Sequence, residues 1–158
     1  MTDAAGFALL ETTRHGFTIS TDRQRLDIES IHAYLTRSYW AEGISAALVA
    51  KSIRGSLCFG LYDASAEQIG FARVITDGAT FAYLCDVYVL ESARGQGLGV
   101  WLIETVMQHP DLAGLRRSML VTRDAHSLYA RFGFTPSKSP DRIMEIARPG
   151  LYKETSST

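Results

Sequence analysis

The fold is decided by one stretch of the chain, in which Leu84-Cys85-Asp86-Val87-Tyr88-Val89 is followed, after four more residues, by Arg94-Gly95-Gln96-Gly97-Leu98-Gly99. The first run lies in a predicted strand over residues 80–90, and the second leads into a predicted apolar helix over residues 100–108. A helix that begins at glycines leaves its first backbone N–H groups without partners, and the helix dipole adds positive charge there. The pattern therefore predicts either a cradle for a pyrophosphate or a tight turn that binds nothing.

Two standard phosphate-binding motifs do not fit this glycine loop. A dinucleotide-binding G-x-G-x-x-G would require a third glycine where the chain has Val100. A P-loop would require a Lys followed by Ser or Thr, which does not occur here. The loop has to be interpreted from the elements on either side of it.

The chain before the loop predicts two helices between strands, and then a run of strands. The helices are expected over residues 28–38, begun by Asp27, and over residues 45–54, with Ile44, Leu48 and Ile53 facing inward. Strands are expected over residues 16–20, Leu57–Tyr62, Gln68–Thr76 and residues 80–90. Because Asp77-Gly78 is a good hairpin dipeptide, the last three strands should form an antiparallel meander.

The chain after the loop predicts a second strand-and-helix pattern. A strand is expected over residues 119–122, a helix over residues 125–132, and a closing strand over residues 143–147. The fold class is therefore α/β with a mixed sheet, in which a meander precedes a βαβα unit. We assign residues 15–150 to a single domain, residues 1–14 to a flexible N-terminus and residues 151–158 to a polar C-terminal tail.

Composition narrows the class of protein without naming an activity. The 158 residues suffice for one core, and the 46% hydrophobic and 21% charged content is that of a globular domain. Sixteen Lys and Arg against seventeen Asp and Glu give a net charge of -1, so we expect neither a nucleic-acid nor a membrane partner. Two separate cysteines and the lack of a leader pattern favour the cytoplasm.

The quoted runs resemble the acyl-CoA motif of the GNAT superfamily of N-acyltransferases, R/Q-x-x-G-x-G/A after an apolar strand. A second match follows in order, because Ala125 and then Leu128-Tyr129-Ala130-Arg131-Phe132-Gly133-Phe134 are similar to that family's A-x-x-L-Y-x-x-x-G-F helix. The resemblance covers residues 16–147. It implies a GNAT-like fold with splayed central strands and acetyl-CoA as cosubstrate. We expect no metal, since no His, Cys and Asp cluster has ligand spacing.

The resemblance also implies which residues hold acetyl-CoA. The backbone of Val87 and Val89 would pair with the acetyl carbonyl and the pantetheine arm. Thr122 stands where the family often has an Asn that touches the cofactor. The pyrophosphate would be held by the main-chain N–H groups of the loop and helix start, namely Arg94, Gly95, Gln96, Gly97, Leu98, Gly99 and Val100.

Tyr129 matches the family tyrosine that protonates the leaving thiolate, and a phenol is protonated at neutral pH. The alternative is a structural role as a core tyrosine beside Ala125 and Phe132. The base is not identified. An alkylammonium must lose its proton before it attacks, which costs about 4 to 5 kcal/mol at pH 7, at about 1.4 kcal/mol per pKa unit.

Relatives commonly place a Glu or His on the strand face that holds Tyr83 and Cys85. Strict alternation puts Asp86 on the opposite face, where we expect it to pair with Arg73. This chain has neither a Glu nor a His on the face of Tyr83 and Cys85. We therefore expect a water relay to remove the proton of the amine, tuned by Tyr83 or by carboxylates from loops. Cys85 is expected to be a buried thiol rather than a nucleophile.

Tyr39, Trp40 and Glu42 lie between the two early helices, where the family usually builds its acceptor pocket, with Tyr83 and Cys85 as further candidates. In one interpretation, the aromatic pair and the carboxylate bind a cationic amine by cation–π and ionic contacts. In the other, Tyr39 and Trp40 cap the core and Glu42 is solvated. We expect acetyl transfer to a primary amine of a small molecule. The alternatives are protein lysine or N-terminal acetylation and a non-catalytic acyl-CoA sensor. Acyl length and a homodimer are left open.

Overall fold

Six strands form one mixed sheet in the computed structural model, which describes residues 1–156. They lie in chain order, antiparallel from the first to the fifth and parallel between the last two. The predicted α/β fold, with its meander and following strand-and-helix unit, is confirmed. The strands are β1 (Glu11–Arg14), β2 (Phe17–Ser20), β3 (Leu57–Tyr62), β4 (Gln68–Thr76), β5 (Phe81–Val89) and β6 (Arg117–Leu120).

Five helices accompany the sheet within the described residues. They are α1 (Ile28–Leu35), α2 (Ala46–Arg54), α3 (Leu98–Met107), α4 (His126–Ala130) and α5 (Leu151–Ser156). The Asp27 side chain accepts the Ser30 N–H at 3.0 Å and so begins α1 at the predicted residue. None of these helices has the length and apolar character that a membrane crossing requires.

The inward face of α2 agrees with the prediction at Ile53 and differs from it at Leu48. Ser45 caps this helix by accepting the Leu48 N–H at 3.2 Å. The buried positions are Val49 and Ile53, one helical turn apart, whereas Leu48 is 42% exposed. The expectation that Leu48 faces inward is wrong, because an i, i+4 pair sets the buried stripe of a short helix and Leu48 lies beside that stripe.

Two apolar clusters fill the two faces of the sheet. Every residue of β3 is buried, so this strand contributes to both. The first cluster lies under α3 and contains Trp101 and Leu102. The second lies under α1 and α2 and contains Phe71 and Tyr88. As predicted from its apolar composition, α3 packs on the sheet. The glycine loop therefore lies between the end of β5 and the start of α3.

The first fourteen residues, expected to be a flexible N-terminus, contain the edge strand β1. They are also fastened to the chain after α3, because His109 Nε2 donates to the Ala8 carbonyl at 2.8 Å and the Ala8 N–H donates to Asp111 Oδ2 at 2.7 Å. The fully buried His109 accepts the Asp111 N–H through Nδ1, which fixes this tautomer. Backbone pairing and polar hydrogen bonds hold this segment in place, and such contacts require no apolar periodicity in the sequence.

The C-terminal region also departs from the prediction. Residues 143–147 form neither a strand nor a helix, and Met144 and Ile146 are 93% and 91% exposed. The expected closing strand is wrong, since an alternating pattern becomes a strand only beside a partner strand, and the chain instead runs towards the α1–α2 connection. There Lys153 pairs with Glu42 at 3.1 Å. The expected polar tail begins with α5, and residues 157–158 lie outside the described residues.

Truncating the core side of α3 should measure how strongly the helix holds to the sheet. Leu102 is fully buried, so Leu102→Ala should lower the free energy of unfolding by about 2–5 kcal/mol. The matched variant Leu48→Ala, on the exposed side of α2, should lower it by less than about 1 kcal/mol. Urea denaturation followed by circular dichroism compares the two, and similar losses would contradict the assignment of these faces.

Candidate active site

The two central strands part next to the glycine loop. Residue pairing between β5 and β6 ends at Leu84 and Leu120, while β5 continues to Val89. A cavity of about 470 Å³ opens where they separate, and we call it the inner cavity. It is bounded by residues 83–87 of β5, residues 120–125 at and after the end of β6, Tyr129 of α4, and the pair Tyr39 and Trp40. The splayed strands implied by the resemblance are thus present.

A β-bulge interrupts the alternation of β5 at the wall of this cavity. Leu84 and Val87 both pack against the cluster under α3, although they are three residues apart. The register against β4 shifts at this point, and Asp86 has a positive φ of 51°. The extra residue turns Asp86 to the side that holds Arg73. The prediction that Asp86 faces away from Cys85 is therefore wrong.

Asp86 is held by two donors. Arg73 Nε donates to Oδ2 at 2.8 Å, and Trp40 Nε1 donates to Oδ1 at 2.9 Å. The predicted ion pair with Arg73 is confirmed, and both of its side chains are largely buried. Asp86 therefore positions Trp40 at the cavity through a charge-assisted hydrogen bond.

The glycine loop presents backbone donors at the start of α3. Gly97 is the N-cap residue, its φ is 75°, and no side chain caps the helix. The first N–H groups of α3 therefore face outward without a side-chain acceptor. Gly95 also has a positive φ, of 85°, whereas Gly99 does not. This donor set suits an anion such as a pyrophosphate.

Arg94 lies between the loop and a second cavity. Its Nε donates to the Val89 carbonyl at 3.0 Å, and its Nη2 donates to Tyr34 Oη at 3.0 Å. The second cavity, of about 540 Å³, is bordered by Gly99 as well as by Tyr129. We call it the channel. It also borders Val87 and so joins the glycine loop to the inner cavity.

Tyr129 lies on α4 where the channel and the inner cavity meet. It is 8% exposed and its ring meets Phe134 edge-on, with 6.0 Å between centroids. Burial, assisted by the nearby Tyr39 phenol, raises the pKa of Tyr129 to about 12. The hydroxyl of Thr122 accepts the Ala125 N–H at 3.0 Å and so shapes the turn into α4. Because its pKa is raised, Tyr129 remains a proton donor over a wide pH range.

The two other predicted residues on β5 also lie at the inner cavity. Burial raises the pKa of the Cys85 thiol to about 12. Burial likewise raises the pKa of Tyr83, with Cys85 and Asp86 adding to the rise. The Cys85 thiol is therefore protonated at neutral pH, which agrees with the expectation that it is not a nucleophile.

The predicted acceptor residues are divided between cavities. Tyr39 and Trp40 border the inner cavity and the channel, and they also border a third, outer cavity of about 810 Å³. Glu42 borders only the outer one of these three cavities, where it pairs with Lys153. The guanidinium of Arg123 already covers the Tyr39 ring, 3.9 Å from its centroid. Tyr39 therefore offers this face to Arg123 rather than to an incoming amine.

Sequence reasoning missed the rest of the outer cavity. Its remaining wall is the C-terminal segment, at Ile146 and residues 148–153. One sequence signal was Gly43, whose φ is 86° and whose Cβ would lie 2.9 Å from the Tyr152 carbonyl oxygen. A glycine there permits the close approach of this segment.

The glycine requirement differs within the loop, and this predicts opposite effects of two similar substitutions. Gly97→Ala places a side chain in the left-handed region and should lower the free energy of unfolding by about 1–2 kcal/mol. Gly99→Ala should raise it by up to about 1 kcal/mol, because a Cβ there would meet only Val89 Cγ2 at 4.0 Å and alanine favours helix. Chemical denaturation measures both, and equal losses would contradict this reading of the loop.

Comparisons with known proteins agree with this geometry. Residues 54–136 match the family model described as an acetyltransferase (GNAT) domain. A candidate acetyltransferase of Gibberella zeae, FG08082, is 35% identical in a 141-residue alignment, and the match covers 75% of this chain and 78% of that protein.

Solved structures give the same result. The candidate GNAT acetyltransferase xcc2953 of Xanthomonas campestris pv. campestris is 51% identical, with a TM-score of 0.85 over 89% of this chain and 99% of that one. Protein SA2161 of meticillin-resistant Staphylococcus aureus, a candidate acetyltransferase, is 26% identical, with a TM-score of 0.68 over 84% of this chain and 99% of that one. By its motifs, its fold and these relatives, the chain belongs to the GNAT acetyltransferase family.

Proposed function

We propose that the protein transfers an acetyl group directly from acetyl-CoA to a primary amine of a small molecule. The observation that carries the proposal is the position of Tyr129, which borders both the channel from the glycine loop and the inner cavity. A cosubstrate in the channel and an acceptor in the inner cavity would meet beside its hydroxyl. The free thiols Cys58 and Cys85 suit a reducing compartment such as the cytoplasm.

The residues present fit acetyl-CoA, which supplies an activated thioester. Backbone N–H groups from Arg94 through Val100 would bind the pyrophosphate, since α3 begins there without a side-chain cap. Arg94 would add one positive charge at the mouth of the channel. Val87 and Val89 lie beyond the end of the β5–β6 pairing, so their backbone would bind the pantetheine arm as an added strand would.

The reaction has three proton and charge requirements, of which two fall to residues of this chain. The amine must lose a proton, and we assign this to a water relay, because Asp86 is held by Arg73 and Trp40. The Val87 N–H would stabilise the oxyanion of the tetrahedral intermediate. Tyr129 would then act as general acid by donating its phenolic proton to the departing thiolate. The Thr122 hydroxyl accepts the Ala125 N–H in the turn into α4, so we assign it no hydrogen bond to the cosubstrate. Thr122 would contact the cosubstrate because it borders the inner cavity.

Removing the phenolic hydroxyl tests the assigned acid. Tyr129→Phe keeps the ring that packs against Phe134 but loses the proton, so kcat should fall by about 10²-fold or more. CoA thiol release, followed with a thiol-reactive chromophore across a panel of amines, measures the rate. The Tyr129 variant should unfold at the same urea concentration as the parent protein.

Tyr62→Phe is the matched control for this test. Tyr62 is buried outside the three cavities, and its hydroxyl has no hydrogen-bond partner among the described residues. The control should therefore keep full activity. Unchanged kcat in Tyr129→Phe would exclude the general acid. If the parent protein binds acetyl-CoA but releases no thiol with any amine, a non-catalytic sensor replaces the proposed enzyme.

The pH dependence should follow the acceptor rather than the acid. Below the acceptor's pKa, kcat/KM should rise about ten-fold per pH unit, because each unit deprotonates ten times more amine. The raised pKa of Tyr129, about 12, keeps the phenol protonated, so no loss of kcat is expected near pH 10, where an exposed tyrosine titrates. Steady-state rates at each pH, with folding checked by circular dichroism, give the profile. A fall in kcat centred near pH 10 would contradict the assignment.

A further inference from the structure

We infer that the acceptor amine carries a carboxylate, which Arg148 binds in the outer cavity while the amine lies in the inner cavity. This inference rests on the proposed function and names the substrate class of the same site. It depends on how charge is distributed between the two cavities and on what connects them.

The charged residues that line the inner cavity are Asp86, Arg123 and Asp124, which are two carboxylates and one cation. Asp86 pairs at 2.8 Å with Arg73, which does not itself line the cavity, and Arg123 has Asp124 3.4 Å away. Burial raises the pKa of the Tyr83 phenol, and the negative charge of Glu145 adds to this rise. The inner cavity therefore offers no surplus positive charge, and this suits the amine end of an acceptor.

The outer cavity has the opposite balance. The charged residues of its wall are Glu42, Arg148 and Lys153, which are two cations and one carboxylate. Lys153 Nζ is paired with Glu42 at 3.1 Å. Among the residues that the structure describes, the Arg148 guanidinium has no ion-pair partner. An arginine in this situation presents a planar fork of donors that matches one carboxylate.

Tyr39 and Trp40 connect the two cavities. Both residues border each cavity, and their rings meet edge-on with 5.1 Å between centroids. Trp40 is fixed by its hydrogen bond to Asp86. An acceptor whose chain runs past this aromatic pair could place its amine near Tyr129 and its carboxylate near Arg148. Such a molecule has its amine and carboxylate at opposite ends, as in an ω-amino carboxylic acid.

Matched acceptors test the inference directly. A series of ω-amino carboxylic acids of increasing chain length is compared with the corresponding ω-amino amides, which keep the length and lose the charge. The parent protein should show an optimum chain length and should favour the acid over the amide by about ten-fold or more in kcat/KM. Equal rates for acid and amide at every length would overturn the inference.

Variants of Arg148 assign the effect to this residue. Arg148→Met should raise KM for the acid by about ten-fold, leave kcat unchanged and leave the amide unaffected, because the lost contact forms equally in ground and transition states. Arg148→Lys should recover part of the preference. Arg142→Met removes the same charge from the same exposed segment away from the three cavities, and it should behave like the parent protein. A similar loss in both methionine variants would contradict a specific role for Arg148.

Binding distinguishes failure of this inference from failure of the proposed function. Calorimetric titration of the acids and amides into the protein with CoA present requires no turnover. Arg148-dependent binding of the acid without acetylation would sustain the carboxylate site and refute the enzyme. Acetylation of acid and amide alike, with no effect of Arg148→Met on binding, would sustain the enzyme and refute the carboxylate site.

Discussion

The site depends on the ion pair between Arg73 and Asp86. Both groups are largely buried, and a buried charge without its partner would cost several kcal/mol. Their pairing therefore stabilises the β-bulge at Asp86, where a non-glycine residue adopts a left-handed conformation at a cost of about 1–3 kcal/mol. The same carboxylate fixes Trp40, which borders all three cavities. Strand pairing, the wall of the inner cavity and the aromatic entrance thus depend on one contact.

Much of the sheet could be predicted because its signals are local. The bounds of β3 and β4 agree with the predicted runs, since apolar residues and turn residues mark both ends. The bulge at Asp86 could not be predicted in the same way. Alternation assumes one residue against one across a pair of strands, and only the register with β4 shows where two residues face one. This single irregularity moved a carboxylate from one predicted face to the other.

The errors at the two ends of the chain have a common physical cause. β1 is polar and forms through backbone pairing at a sheet edge, so its sequence has no apolar period to detect. Residues 143–147 have the alternating apolar pattern of a strand, but they have no partner strand and therefore form none. In both cases the deciding factor is which backbone groups are available nearby, which is a property of the folded sheet. Tyr129 and the glycine loop could be proposed as site residues from the sequence because each belongs to a contiguous motif, whereas the outer cavity joins segments about 100 residues apart in the chain.

The near-neutral net charge conceals local surpluses of positive charge. Beside the glycine loop, Arg37 makes two hydrogen bonds to Glu91, at 2.8 and 3.0 Å, and this holds the pKa of Glu91 down to about 2. Arg94 is 3.9 Å from the same carboxylate, so two arginines share one negative charge at the mouth of the channel. The outer cavity has a comparable excess at Arg148, and the inner cavity has none. Because fields fall off within about 10 Å in salt, it is these local balances that an anionic cosubstrate or an acceptor encounters. A polyanion and a carboxylate can therefore be bound at separate places on a chain whose total charge is -1.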